Sequence, residues 1–593
     1  MLEETAAVHG QKPALKQPSG GGKYRTYTWA EVRDHVQWTA VGLSTIGVEV
    51  GDIIALQSET RAEFYFADLG VMAAGAIAAA LYTSLPYAEQ AHALRFCEAR
   101  VALVENPKAM HGLQAALAAI PGSAPPIQWV LLTGTAEGAI SLDQLMEKGQ
   151  RQLAADPEAF ERIRARFDDQ ALAVLYMTSG ATGEPKMGLV THAALVINID
   201  MTPAVLPLTP DDCTVAFLPS AHIAQRVVAE LMPARTGSCV WFSEGLSKLP
   251  HELRAARPTF FLSPPRVWER MYSSILAEIK KRPAPLRKMF YLALGIGSRA
   301  AQLRRNGQPV PAWMGSSLRL FDKIIFNKIR QRLGGRLRFP ISGAAPLSKD
   351  LAEFYEAIGM PLLEGYGLTE GGVVSVNPIG RVKPGSIGKL LPGIEVRLQE
   401  DGELQLRSAV NFSGYYKDPA ATAAVLHDGW LSTGDIATCD DEGYYYITGR
   451  KKELIVASNG KKIYPARIEG LFKKEPLINH VLLIGDRLPY VTALITVTGD
   501  PAAAQSIVES TVKNVNRQLP SFEQIRKFKI LDRDFSIENG ELTPTMKLRR
   551  SRALENHRAL VAELYAGREL EQVELGQVVP GQPRFARRKN PLL

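Results

Sequence analysis

Across its first 170 residues the chain alternates short apolar runs with helical segments, and that alternation restricts the fold more than any other property. Trp29–Ile46 reads as a helix; Asp52–Gln57, Val101–Glu105 and Ala171–Tyr176 read as strands. Strands separated by helices imply parallel pairing, because a parallel crossover needs a long connection and a helix supplies it. The fold class is α/β. Thr214–Leu218 and Phe260–Leu262 continue the pattern, each followed by a helix. The most apolar stretch, Leu69 to Pro86, carries Gly70, Gly75 and Pro86 and follows Asp68; it reads as a buried helix, not a membrane span.

At 593 residues the chain exceeds what one core supports, so several domains are expected. From about Gly380 short β runs dominate: Glu395–Gln399, Glu403–Arg407 and Tyr444–Thr448, separated by turn residues. They predict a small antiparallel, barrel-like unit. Beyond Gly449-Arg-Lys-Lys-Glu453 an α+β pattern follows: Leu454–Val456, Ala466–Lys474, Val481–Ile484, Thr492–Val497 and Ile507–Arg517. The expected division is a large domain over 1–451, a small domain over 452–567 and a loosely held basic tail over 568–593. Four scattered cysteines form no CxxC pair, which argues against a disulfide framework or zinc site. The opening residues lack a basic segment followed by an apolar core, so no signal peptide is expected and a cytoplasmic location is.

The net charge of +8 is unevenly spread. Lys280 to Arg338 holds fifteen Lys/Arg against the single acid Asp322, so this band alone is +14 and the remainder about −6. Leu318, Phe321, Ile325, Ile329 and Leu333 recur within it at helical spacing, with Arg319, Lys323, Lys328, Arg330 and Arg332 among them. Two readings stay open: a solvated basic face on a core-packing helix, or peripheral contact with an anionic membrane, on the inner face if the protein is cytoplasmic. No nucleic-acid-binding motif accompanies the charge.

After the apolar strand comes Tyr176-Met-Thr-Ser-Gly-Ala-Thr-Gly-Glu-Pro-Lys186. Gly180 and Gly183 permit tight turns that expose N–H groups to an anion. Thr178, Ser179 and Thr182 add hydroxyls, and Lys186 a mobile positive charge. A plain polar turn has the same residue types, but the end of an α/β strand is where such sheets bind ligands. No Gly-Lys-Ser/Thr triplet closes the loop, so it is not a Walker A loop.

This loop resembles the phosphate loop of the adenylate-forming superfamily of acyl-CoA synthetases, adenylation domains and luciferases. Ala181 stands where that pattern has a hydroxyl residue and Met187 where it has glycine; the first removes a phosphate donor and the second stiffens the loop exit. Further motifs follow in the superfamily's order. Phe217-Leu-Pro-Ser-Ala-His222 resembles the segment ahead of the acyl pocket. Arg257–Glu269 and Leu333–Leu347 are similar to segments of long-chain fatty acid–CoA ligases. Glu364-Gly-Tyr-Gly-Leu-Thr-Glu370, Ser432-Thr-Gly-Asp435, Ile447–Glu453, Ser458-Asn-Gly-Lys461 and Gly540–Lys547 complete the series.

The resemblance implies roles. His222 lies near the substrate carboxylate, although a lone His is more often a satisfied core residue. Gly343, Ala344 and Ala345 line the adenine, where only small residues allow close backbone approach. Within Glu364, Gly365, Tyr366 and Gly367, Tyr366 stacks on the base. Thr369 binds the α-phosphate. Glu370, with Thr178, holds Mg²⁺, as suits hard ligands. Asp435 accepts from ribose hydroxyls, and Arg450 lies near ribose and phosphate. Lys452 is the hinge; Ser458, Gly460 and Lys461 belong to the loop used in the coenzyme A step, with Asn459 where glycine is common. Lys547 is the adenylation lysine.

The implied activity is ATP-dependent conversion of a fatty acid, best matched by a long-chain one, to its acyl-AMP and then to acyl-CoA. Two alternatives stand beside it: ligation of acyl-AMP to a carrier protein, and a weakened ATP- or lipid-binding relative suggested by Ala181 and Met187. Monomer and homodimer are both compatible with the sequence.

Overall fold

The computed structural model describes residues 1–122, 126–178, 186–458 and 460–565. Ser179, Gly180, Ala181, Thr182, Gly183, Asn459 and the expected tail at 568–593 lie outside the described residues.

The largest sheet has eight strands in the order Gly414–Tyr415, Lys186–Thr191, Leu172–Thr178, Ile77–Ala80, Ile53–Gln57, Val101–Val104, Gln128–Leu131 and Ala139–Ser141. The six from Leu172–Thr178 onward run parallel. Lys186–Thr191 folds back antiparallel on Leu172–Thr178. Helices cover the sheet. The helix Trp29–Thr45 starts at a reciprocal cap, where the Thr28 side chain accepts from the Glu31 N–H and Glu31 accepts from the Thr28 N–H.

The apolar stretch from Leu69 to Pro86 is not one helix. A helix spans Ala62–Ala73, Gly75 turns the chain at φ +74°, and a buried strand follows at Ile77–Ala80. A β-carbon at Gly75 would lie 2.6 Å from the Phe167 ring, so both conformation and space demand glycine there.

A second sheet sets Phe260–Ser263, Phe339–Ser342 and Leu363–Leu368 in parallel, then adds Gly372–Val376 and Lys389–Leu390 antiparallel. A third pairs Cys213–Ala216, Cys239–Phe242 and Pro13–Gly20 in parallel, with Lys23–Thr28 antiparallel on Pro13–Gly20. The β runs after Gly380 form an antiparallel sheet of five strands: Glu395–Leu398, Glu403–Arg407, Leu426–His427, Trp430–Cys439 and Tyr445–Arg450.

From Ile455 onward separate apolar cores form around Ile478–Ile484, Val491–Val497 and Ile525–Ile530, backed by the helix Pro501–Asn516. All four cysteines are unpaired.

One charged cluster lies wholly inside the large domain. Arg226 donates to Asp68 at 2.9 and 2.5 Å, and both side chains are fully buried. Arg226 also covers the Tyr176 ring at 4.9 Å. Glu230 faces the pair; burial, then Asp68, push its carboxyl well above the ordinary range. No described helix is long and apolar enough to cross a membrane.

Candidate active site

The second sheet, the strand pair Trp430–Cys439 and Tyr445–Arg450, and the turn before Lys547 converge on one cleft. The strand Leu363–Leu368 ends in the Tyr366–Glu370 segment. Gly367 is required there, since a β-carbon would sit 2.5 Å from the Gly372 carbonyl oxygen. Gly343 approaches Gly365 across the sheet; its β-carbon would lie 3.5 Å from that carbonyl. Ala344 holds a left-handed backbone at φ +65°, an unfavourable conformation for a residue with a side chain.

Glu364 turns inward. It is 6% exposed, one carboxylate oxygen accepts from the Leu347 N–H at 3.1 Å, and burial lifts its pKa to about 8. One oxygen therefore staples the Gly343–Leu347 loop to the strand, and the other has no hydrogen-bond partner among the described residues.

Asp435 and Arg450 are register partners on adjacent strands, and their side chains meet at 3.0 Å. The Tyr366 hydroxyl donates to the other Asp435 oxygen at 2.6 Å. Burial, then Asp435, raise the Tyr366 pKa, so the ring stays neutral; Asp435 in turn raises that of Arg450.

Tyr415 had no assigned role. Its hydroxyl donates to Glu370 Oε1 at 2.7 Å, and Lys186 lies 5.0 Å from its ring centre and 3.8 Å from Asp418. One aromatic side chain thus joins the carboxylate expected to hold metal and the lysine of the expected phosphate loop. The available signal was the aromatic pair Tyr415-Tyr416 at the end of the short strand Gly414–Tyr415.

Thr178 pairs with Lys186 where the two strands flank the loop, and a β-carbon at Gly188 would touch Thr369. Met187 is 2% exposed and opposes Met177 in the strand pair. It is a core residue of the returning strand, so its departure from glycine serves packing.

His222 caps a short helix, its Nδ1 accepting from the Ala224 N–H at 3.2 Å. That bond places the proton on Nε2. Burial, then the Lys547 charge, depress its pKa to about 4, so the ring is neutral at pH 7.

Lys547 comes from the small domain. A turn closes where the Lys547 N–H donates to Thr543 Oγ1 at 3.0 Å and the Thr543 N–H to the Lys547 carbonyl at 2.8 Å. Met546 adopts φ +63° within it. The fully buried Glu541 anchors the turn, accepting from Arg533 at 2.6 and 2.8 Å. Lys547 remains accessible to solvent, but atoms of both domains crowd it. Lost hydration, then Arg450, pull its pKa down to about 8, against Asp435, Glu453 and Glu370.

The small domain is held by Lys473–Glu269 at 3.0 Å, Lys474–Asp350 at 2.6 Å and Arg266–Asn479 at 3.0 Å. Lys452 lies in the turn Lys451–Glu453; Lys451 beside it pairs with Asp401 at 2.6 Å and Glu403 at 2.7 Å. The Ser458 N–H donates to the Leu488 carbonyl, the Gly460 N–H to that of Ala457, and Lys461 covers the Phe522 ring, all within the small domain. In this arrangement it is the Lys547 turn that faces the Asp435–Glu370 cluster.

Residues 2–416 match the AMP-binding enzyme family, and residues 452–569 the AMP-binding enzyme C-terminal domain. The chain is 33% identical over 575 residues to long-chain-fatty-acid–CoA ligase FadD15 of Mycobacterium tuberculosis (strain ATCC 25618 / H37Rv), covering 92% of this chain and 93% of that protein. To long-chain-fatty-acid–CoA ligase ACSBG2 of Rattus norvegicus it is 28% identical, covering 95% and 92%. The crystal structure of anthranilate CoA ligase AuaEII with anthranoyl-AMP superposes with TM-score 0.73 at 20% identity, covering 95% and 97%. The adenylation domain of a carboxylate reductase from Mycobacterium chelonae does so with TM-score 0.74 at 22% identity, covering 95% and 90%. With its large and C-terminal domains both matched, the chain belongs to the AMP-binding enzyme family.

Proposed function

We propose that this protein is an AMP-forming acid–thiol ligase that activates a long-chain fatty acid with ATP and transfers the acyl group to coenzyme A. The observation that carries the reading is the convergence of Tyr366, Asp435, Arg450 and Glu370 with Lys547 from the other domain. The substrate class follows from the relatives named long-chain-fatty-acid–CoA ligases.

In the first step a carboxylate oxygen of the fatty acid forms a bond to the α-phosphorus of ATP. The bond from that phosphorus to its β-bridging oxygen breaks, and pyrophosphate leaves with the electron pair. Tyr366 stacks on adenine, with Gly343, Ala344 and Ala345 close against it, and Asp435 exchanges its bond from Tyr366 for ribose hydroxyls. Thr369 and the loop 178–186 hold phosphate. Arg450 and Lys547 offset the charge that builds on the phosphoryl oxygens. Neutral His222 presents Nε2–H to the acyl carboxylate. Glu370 fits Mg²⁺: Tyr415 fixes one oxygen and leaves the other for a hard cation. No group of three or more His, Cys, Asp or Glu able to hold a metal occurs among the described residues, which suits an ion shared with substrate phosphates. When bound, Mg²⁺ supplies charge neutralisation on the phosphates.

In the second step the coenzyme A sulfur, its proton lost to solvent, forms a bond to the acyl carbon and AMP leaves. For this step residues 452–567 first pivot at Lys452, withdrawing Lys547 and bringing in Ser458–Lys461. Contact of the 280–338 band with an anionic bilayer completes the reading.

The test supplies palmitate, ATP, Mg²⁺ and coenzyme A, and follows pyrophosphate and acyl-CoA together. Equal release of both is expected. Pyrophosphate without coenzyme A consumption would instead identify an acyl-AMP ligase. ATP binding without turnover would identify a non-catalytic relative.

A further inference from the structure

The basic band folds as two packed helical rods. One is the helix Ala284–Arg305; the other is continuous from Ala312 to Leu333, through α-helical, wide and tight turns. Their inner faces are satisfied. Phe290, Ala293, Gly297 and Ala300 are buried, and a β-carbon on Gly297 would meet the Ala357 carbonyl oxygen at 2.2 Å. Phe326, Ile329 and Leu333 are buried in the same core, against which Leu318, Phe321 and Ile325 also pack.

The outer faces are not satisfied. Trp313 is 61% exposed, Leu320 56% and Ile324 39%. Their spacing of seven and then four residues puts them on one stripe. On the other rod Leu292 is 59% and Tyr291 50% exposed. Among the described residues, fifteen large hydrophobics are exposed, and six of them (Leu286 is the sixth) fall between 286 and 324. Scattered exposed apolar side chains are ordinary; a group concentrated in one helical hairpin marks a contact surface.

Charge identifies what it contacts. Arg305, Arg330, Arg332 and Arg338 are engaged by carboxylates. Exposed Arg287, Lys288, Lys323 and Lys328 make no ion pair among the described residues. Two copies of this chain meeting through the face would set like charge against like, since residues 284–333 hold ten Lys/Arg against the single acid Asp322. An anionic bilayer answers both properties at once: its headgroups take the cations, and its interface takes Trp, Leu and Ile.

We propose that the outer face of the 284–333 hairpin docks on an anionic lipid bilayer, with Trp313, Leu320 and Ile324 entering the interface. The hairpin packs against the helix Lys349–Ala357, which follows the strand leading into Gly343–Ala345, so docking places the acid-activating domain against the phase that dissolves a long-chain acid. That last consequence rests on the proposed substrate.

The experiment is co-sedimentation of the full chain with vesicles of phosphatidylglycerol and phosphatidylcholine, and with phosphatidylcholine alone. Binding to the anionic vesicles, weakened by salt, is expected. The triple variant Trp313→Ala, Leu320→Ser, Ile324→Ser should lose at least about tenfold in partition, as should Lys323→Glu with Lys328→Glu. Equal binding to neutral vesicles, wild-type partition of the triple variant, or tighter binding to duplex DNA than to vesicles at equal salt would overturn the proposal. Acyl-CoA formation from detergent-dispersed palmitate is measured on the same preparations. The variants should retain it, and its absence in the wild type would count against the ligase reading while leaving the vesicle result intact.

Discussion

The Tyr415 hydroxyl donates to Glu370 Oε1 at 2.7 Å, and the same ring lies 5.0 Å beneath the Lys186 ammonium. Tyr415 therefore orients the carboxylate proposed to hold Mg²⁺ without itself reaching the reacting atoms. Partners of this kind are worth roughly 10–100-fold in metal affinity. Tyr415→Phe should raise the Mg²⁺ concentration for half-maximal adenylation about tenfold, with kcat at saturating Mg²⁺ changed far less. A Mg²⁺ titration of pyrophosphate release checks this. An unchanged midpoint with reduced kcat would show that the tyrosine acts by another route.

Lys547 supports a second prediction, in two parts. Lys547→Ala should cost about 10²–10³-fold in acyl-AMP formation, the loss expected for one preorganised electrostatic donor. Thioester formation from preformed acyl-AMP should be spared, because the lysine is withdrawn in that step. Equal loss in both half-reactions would end the division of labour. The pH dependence follows from its pKa, pulled down to about 8 by lost hydration and Arg450. The protonated form is the active one and is complete well below that value. Adenylation kcat/KM should therefore fall as pH rises through about 8 rather than near 10.5, with Arg450→Ala moving that limb upward.

Much of this site was legible because its chemistry needs particular residues at fixed spacing. Glu364–Glu370, Asp435, Arg450 and Lys547 announce themselves in the chain, and the fold brings Tyr366, Glu370, Asp435, Arg450 and Lys547 together. Tyr415 did not, since its role depends on a strand pairing between residues far apart in sequence. Glu364 is expected at the ligand surface; its burial and its bond from the Leu347 N–H add a task that spacing does not show, holding the Gly343–Leu347 loop to the strand. Leu69–Pro86 misled for a different reason. A buried helix and a buried parallel strand are both uniformly apolar, so periodicity cannot separate them, and the break came from Gly75. The helical spacing of Leu318, Phe321, Ile325, Ile329 and Leu333 was visible at once, whereas the exposure of Trp313 on the opposite face was not.

The contact between the domains supports a third prediction. Glu269 is 7% exposed and meets Lys473 at 3.0 Å and Arg266 at 3.5 Å, so it ties the small domain to the large one in the arrangement that presents Lys547. Adenylation needs this arrangement and the thiol step must leave it. Glu269→Ala should slow acyl-AMP formation by about 5–10-fold, equivalent to the ~1–1.4 kcal/mol of an ordinary net hydrogen bond. Thioester formation from preformed acyl-AMP should be unchanged or faster. Single-turnover measurement of each half-reaction decides it: slowing of both would mean that the pair serves folding and not domain position.

The last prediction concerns Asp68, Arg226 and Glu230. Removing one partner of a buried ion pair strands the other, typically at about 3–5 kcal/mol. Here Glu230 stands by. Burial, then Asp68, hold its carboxyl well above the ordinary range, and Arg226 pulls it the other way. Asp68→Ala relieves the repulsion, so Glu230 can ionise and take over Arg226. The single variant should then lose clearly less than the full amount. Glu230→Gln, an uncharged amide of similar shape beside Asp68, should lose little. The double variant removes both routes and should show the whole loss, well beyond the sum of the two singles. Urea unfolding of the four proteins at pH 7 measures the coupling, and strict additivity would show that Glu230 never substitutes for Asp68.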